Sequence, residues 1–145
     1  MIAGEGPFKD KVIEAGKRNP SIQYLGKLDA SGVEEIMKRA GALIFPSIWY
    51  EGMPMTIIEA FATGTPVIAS KLGAMASMIQ DGFNGLHFAA GNPEDLAEKL
   101  EKWKALDACA RDKFSKNARE EYERKYTPAR NKEQTLAIYQ SLISA

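Results

Sequence analysis

At 145 residues the chain is long enough for one domain with a real core. Lys+Arg and Asp+Glu number 19 each, which argues against a bulk electrostatic partner such as nucleic acid and leaves only a local basic patch open. A single cysteine, Cys109, excludes an internal disulfide and any CxxC pair, and the single His87 excludes a His-rich metal site.

No metal is expected, and a reducing, cytoplasmic setting is the default for so few cysteines. The longest apolar runs are of strand length, short of a membrane span, and the start MIAGEGPFKD has no charged n-region or long apolar h-region.

Residues 1–4 read as the end of a buried strand that opens into Gly4-Glu5-Gly6-Pro7, and a helix follows over 8–18. Residues 22–25 form the next strand, closed by Gly26. Ser31 is a fair N-cap for the following helix, with Glu34 three positions on as a capping box. Residues 42–46 are a short apolar strand, and 66–69 another.

Between those two strands lies YEGMPMTIIEAFATGT, a Gly/Pro loop and then a helix beginning at Pro54. A short helix over 73–80 follows, with turn signals at Asp81-Gly82 and Asn84-Gly85, and a last strand at 86–88. Asn92 caps a helix that has Pro93 at its first position and acids in its first turn. Leu96, Leu100 and Trp103 repeat along it at helical spacing.

From 111 to 126 the chain is highly charged, with Phe114, Ala118 and Tyr122 as a thin apolar stripe. Thr127-Pro128 breaks the helix, and a last one carries Leu136, Tyr139 and Leu142. The mixed charge of these two helices favours solvated helices whose stripes pack on the domain over contact with a membrane surface.

Strands alternate with helices, and the strands are continuous apolar runs. That pattern predicts an α/β fold, a doubly wound parallel sheet of Rossmann-like type covered on both faces. Ligands in such sheets bind beyond the carboxyl ends of the strands, which here are the loops at 4–6, 26–29, 46–54, 70–73 and 89–91.

The loop at 46–54 carries the most chemistry. Helix N-termini leave backbone N–H groups unpaired, so those of Met55, Thr56 and Ile57 are expected to form an anion site suited to phosphate. Gly52 lets the backbone approach a ligand. Thr56, Glu59 and Thr63 make one polar stripe on a helix that is otherwise apolar.

A carboxylate on that stripe either accepts from a vicinal diol, such as the 2′,3′-hydroxyls of ribose, or reaches solvent at the helix edge, and the two readings weigh about equally. Gly4-x-Gly6 lacks the third glycine of a dinucleotide fingerprint, because Lys9 stands there, so a tight turn is the simpler reading. Gly26-Lys27-Leu28-Asp29 is also a plain turn by itself. His87 is best read as a core or edge histidine, while Trp49-Tyr50 are suited either to stack on a ligand or to pack the loop, with packing slightly favoured.

Taken together, E-G-x-P-x-x-x-x-E-A at 51–60 and G-x-P-V-I-A-S at 64–70 strongly resemble the retaining family-4 glycosyltransferases of the GT-B fold. The flanks agree: I-x-G-x-G-P at 2–7, Tyr24-Leu25-Gly26, Phe45-Pro46-Ser47, Asp81-Gly82 to Gly85-Leu86, and N-P-E-D-L-A at 92–97. The resemblance covers nearly the whole chain.

It implies that Glu59 binds the ribose diol of a nucleotide-sugar, UDP- or GDP-linked, and that Glu51 lies at the donor sugar as the catalytic residue. The backbone of Gly52, Met53, Pro54 and Met55 would reach the sugar, with the helix start at Met55 and Thr56 holding the diphosphate. Gly26, Lys27 and Leu28 would frame the base, where Asp29 is a candidate reader of a guanine amino group. Gly4 and Gly6 would line the cleft.

The implied organisation is a truncated donor-binding domain over 1–107, a C-terminal helical extension packing on it over 108–145, and an acceptor domain outside the chain. The chain alone is then expected to be inactive. Two departures stand out. Ala76 and Ser77 occupy positions where the family carries Pro-Glu, and the family's Arg and Lys at the diphosphate have no counterpart beyond Lys27 and Lys71. A non-catalytic nucleotide-binding module and a nucleotide-sugar epimerase are the alternatives.

Overall fold

The structure, a computed structural model, describes residues 1–143. Two compact units emerge, Met1–Ile36 and Met37–Ala145. In the first, strand β1 (Ile2–Ala3) and strand β2 (Tyr24–Gly26) pair in parallel around helix α1 (Lys9–Arg18), and helix α2 (Ala30–Arg39) begins here. Gly4 donates its N–H to the Gly26 carbonyl at 2.7 Å, and the Tyr24 hydroxyl donates to the Gly4 carbonyl at 2.8 Å. The expected burial of β1 is not found: both of its residues are exposed. A two-residue strand paired along one edge has little surface with which to shield an isoleucine.

The cap of α2 also differs from expectation. Asp29, not Ser31, does the work: its Oδ1 accepts the Gly32 N–H at 2.8 Å and the Ser31 hydroxyl at 3.0 Å. Ser31 already lies within the helix, one residue past its start. Asp and Ser compete for this role, and the residue that precedes the first helical turn is the one whose side chain can reach back to it.

The second unit holds strand β3 (Leu43–Phe45), helix α3 (Met55–Ala62), strand β4 (Val67–Ser70), helix α4 (Gly73–Met78), strand β5 (Gly85–Phe88), and helices α5 (Pro93–Ala105), α6 (Ala108–Lys125) and α7 (Pro128–Ile143). The three strands form a parallel sheet in the order β3-β4-β5, with Leu43 opposite Val67 and Val67 opposite Gly85. Parallel sheets thus appear in both units, as alternating apolar strands and helices predict.

All four residues of β4 and of β5 are buried, because β4 is central and helices cover the sheet. One face of it, Ile68, Leu86 and Phe88, packs against Trp103 of α5 and Phe114 of α6, whose rings meet edge to face at 5.2 Å. At Gly85 strand β5 lies against β4 with no room for a side chain: a Cβ there would sit 2.0 Å from the Val67 carbonyl oxygen.

Helix α5 starts as its sequence dictates, with the Asn92 side chain accepting the Asp95 N–H at 2.9 Å and Pro93 in the first turn. Helix α6 packs on α3, burying Phe114 and Ala118, while Tyr122 is half-buried. Its buried Glu121 is neutralised by Arg124 at 2.5 Å and Lys125 at 2.6 Å. Helix α7 does not pack as expected, since Leu136, Tyr139 and Leu142 are all exposed. No helix among the described residues is long and apolar enough to cross a membrane.

Candidate functional site

The carboxyl ends of β3 and β4 lead into two loops that meet. The Ala74 N–H, at the start of α4, donates to the Glu51 carbonyl at 3.3 Å. Gly73 adopts φ +52°, and a Cβ on it would lie 3.3–3.4 Å from Tyr50 and the Glu51 carbonyl oxygen. A glycine is needed there both for the left-handed backbone and for the close approach. Between the two loops β4 ends at Ser70, whose hydroxyl is buried and has no partner among the described residues.

Over this edge the loop 46–54 presents backbone donors. The N–H groups of Gly52, Met53, Met55 and Thr56 have no partner among the described residues. Pro54 is the N-cap rather than the first helical residue, and it supplies no side-chain cap. The expected triad of free N–H groups is therefore shortened at one end: Ile57 donates to the Pro54 carbonyl at 3.0 Å, in the tight first turn of the helix. The lost donor is replaced by two in the loop, at Gly52 and Met53.

Glu51 is half-buried, and its Oε1 accepts the Ser47 hydroxyl at 2.9 Å. Glu59 is exposed, with no hydrogen bond or ion pair to its carboxylate among the described residues. Thr56 and Thr63 flank it, half-buried. Thr63 is occupied with the end of the helix, donating to the Ala60 carbonyl at 2.9 Å. Ile57, Ile58, Ala60 and Phe61 form the buried side of α3. Met55, apolar like them, is exposed, so the open stripe is wider than its polar residues alone suggest.

Trp49 and Tyr50 do not pack the loop. They are 74% and 82% exposed, and Met53 is exposed beside them. Aromatic rings at a loop tip have few neighbours to pack on when the backbone itself is what the opposing helix contacts. Lys71 is exposed and forms no ion pair among the described residues. Ser77 turns its hydroxyl back onto the Ala74 carbonyl at 2.9 Å.

The remaining expected residues, Gly4, Gly6, Gly26, Lys27 and Leu28, lie in the first unit. Gly4 and Gly26 have φ +124° and +68°, conformations that favour glycine. Asp29 next to them has Oδ1 committed to capping α2. The Gly32 N–H, and then the Ser31 hydroxyl, hold its carboxyl below the ordinary value of 3.8.

His87 is a core residue, as expected, with Nε2 3.0 Å from the Ile79 carbonyl oxygen. No cluster of three or more His, Cys, Asp or Glu among the described residues could hold a metal ion. A cleft of about 540 Å³ opens at the other end of α3, lined by Lys38, Thr63, Ser115, Lys116 and Arg119 among others. Its Lys116 pairs with Asp112 at 2.7 Å and its Arg119 with Glu123 at 2.8 Å. Arg119 also donates to the Ala62 carbonyl and Ser115 to that of Gly64. These groups cap the carboxyl end of α3, and the cleft is separate from the mouth that holds Glu51.

The fold is that of an open parallel α/β protein, with its exposed carboxylate and unpaired N–H groups at the ligand-binding edge of the sheet. Within that class the chain belongs to the family described as glycosyl transferases group 1, whose profile matches residues 1–121, and it corresponds to the C-terminal part of GT-B glycosyltransferases.

Sucrose synthase of Melioribacter roseus is 34% identical over 125 residues, covering 81% of this chain and 16% of that protein. Sucrose-phosphate synthase from Thermosynechococcus elongatus superposes with a TM-score of 0.83 at 23% identity, covering 97% of this chain and 37% of that one. Anabaena HepE, solved in complex with UDP-glucose, superposes with a TM-score of 0.76 at 20% identity, covering 99% and 40%. The chain spans well under two thirds of the length of each of these relatives.

The contact of Ser47 with Glu51 has little mark in the sequence. The only signal was its place in Phe45-Pro46-Ser47, four residues ahead of Glu51.

Proposed function

We propose that this chain binds the nucleoside-diphosphate-sugar donor of a retaining hexosyltransferase. The observation that carries the reading is the pairing, on one loop and helix, of a row of unpartnered backbone N–H groups (Gly52, Met53, Met55, Thr56) with two carboxylates eight positions apart, Glu51 and Glu59. The N–H groups and the helix dipole of α3 suit the diphosphate. Glu59 is open to accept two hydroxyls of the ribose. Glu51, half-buried and held by Ser47, is the carboxylate assigned to the sugar. Gly4, Gly6, Gly26, Lys27 and Leu28 are further donor-binding candidates on the family resemblance alone, with the Gly26 loop assigned to the base. The likeness to HepE, solved with UDP-glucose, makes that donor the first to try.

In the full reaction an acceptor hydroxyl of a glycan or lipid-linked sugar attacks the anomeric carbon on the face that the diphosphate leaves. The departing phosphate oxygen takes the hydroxyl's proton, so configuration is retained and no protein base is required. The site then works by positioning and by stabilising charge on the leaving group. The acceptor is supplied by a further domain, and the chain by itself binds donor without turnover.

Titration calorimetry of the chain with UDP, GDP and ADP tests the reading. Saturable binding of UDP or GDP is expected. Absence of binding by all three at millimolar concentration would overturn it.

A further inference from the structure

We propose that Ser47 is a positioning residue for Glu51, an inference that rests on the sugar-facing role given to Glu51 above. Its hydroxyl donates to Glu51 Oε1 at 2.9 Å and accepts the Trp49 N–H at 3.3 Å. A serine hydroxyl has one proton and two lone pairs. The Trp49 N–H takes a lone pair, so the proton is left for the carboxylate. One side chain therefore closes the turn from 47 to 49 and aims the side chain of 51.

The backbone of residue 51 is tied independently. The Ala74 N–H holds the Glu51 carbonyl, and Gly73 lets α4 approach Tyr50 and Glu51 closely. Since that anchor fixes the main chain, what Ser47 adds is the rotamer. An unheld glutamate samples several rotamers, and freezing it when a ligand arrives lowers affinity. Ser47 holds Oε1 beforehand and leaves Oε2 without a protein partner among the described residues, available to a donor-sugar hydroxyl. Glu59 has no such support, so the two carboxylates differ in kind: one is preset and the other is free to adjust.

The test is calorimetry on the chain with two probe pairs, UDP with UDP-glucose and GDP with GDP-mannose, using wild type, S47A, S47T, E51A and S47A/E51A. The expected result for the pair that binds is a sugar-nucleotide affinity about three- to tenfold weaker in S47A, the size of losing one preordered side chain. The nucleoside diphosphate alone should bind unchanged. S47T, which keeps the hydroxyl, should restore the affinity, and S47A should have no further effect once E51A is present.

Unchanged sugar-nucleotide affinity in S47A, alongside a loss in E51A, overturns the inference and spares the proposed function. An equal loss for nucleotide and sugar-nucleotide also overturns it, because that marks a general loop defect. Failure of wild type to bind either pair removes the proposed function and the inference with it. Should S47A melt early, S47C keeps the side-chain volume without a strong donor and carries the same comparison.

Discussion

Glu59→Ala separates function from stability. Its carboxylate is exposed and has no protein partner among the described residues, and the hydrogen bond that Thr63 makes to residue 59 goes to the backbone carbonyl. Truncation opens no cavity and leaves no buried group unpaired. Surface changes of this type stay within about 0.5 kcal/mol, so the thermal midpoint should move by less than roughly 2 °C.

Binding should respond differently. A hydrogen bond to an ionised group contributes about 1.5–3 kcal/mol, and solvent access at this open stripe favours the lower end. A ribose diol donating twice then contributes about 3 kcal/mol in all, which is on the order of a 100-fold loss of nucleotide affinity.

Calorimetry with UDP and 2′-deoxy-UDP on both proteins reads this directly. Wild type should prefer UDP, and the variant should bind the two alike. Equal weakening of both ligands by the substitution would show that Glu59 acts on something other than the 2′-hydroxyl. A UDP affinity within twofold of wild type would remove the ribose assignment altogether.

Three further substitutions probe the frame that holds the site. Gly85→Ala forces a methyl to 2.0 Å from the Val67 oxygen, so β4 and β5 must separate. A loss of about 3 kcal/mol or more, roughly 6–12 °C in Tm, is expected in a denaturation experiment.

Thr65→Val removes the 2.7 Å hydrogen bond to the Met37 carbonyl at a buried position. It should cost about 1–3 kcal/mol, because that carbonyl loses its side-chain partner; a neutral result in urea unfolding would show that water replaces the hydroxyl.

Glu121→Gln tests a pH dependence. Burial pushes the Glu121 carboxyl up, but hydrogen bonds from Lys125 and Arg124, and their charges, bring it below its ordinary value of 4.5. A depressed carboxyl contributes stability that is present above 4.5 and lost as pH falls through the lower folded value. The gap in Tm between wild type and E121Q should therefore be widest near neutrality and close as the pH drops below 4.5, and a gap that widens on acidification contradicts the assignment.

Much of this was readable from residue order because the relevant physics is local. Asn92-Pro93 predicts a helix start through one side-chain hydrogen bond and one fixed φ, both settled within four residues. The apolar runs at β4 and β5 predict buried parallel strands because hydrophobic burial on both faces leaves no polar alternation.

What failed did so where a residue's neighbours come from elsewhere. Ile2 in β1 and Leu136 in α7 are apolar residues with ordinary periodicity, and periodicity reports which side chains share a face, not whether anything covers that face. Asp29 displaced Ser31 as a cap because two competent side chains lay within reach of the same N–H groups and only the start of the helix decides between them.

The same distinction explains the carboxylate in α3. Thr56, Glu59 and Thr63 shared a face on spacing alone, and the structure shows that face open, with Met55 exposed on it as well. A glutamate in an apolar helix is costly only if its own side is buried. The opposite side of α3 carries Ile57, Ile58, Ala60 and Phe61, which are enough to anchor two turns of helix. Anchoring on one side therefore leaves the other side free for ligand, and the apolar character of the segment is the condition that lets so short a helix hold its N-terminus and Glu59 in fixed relation.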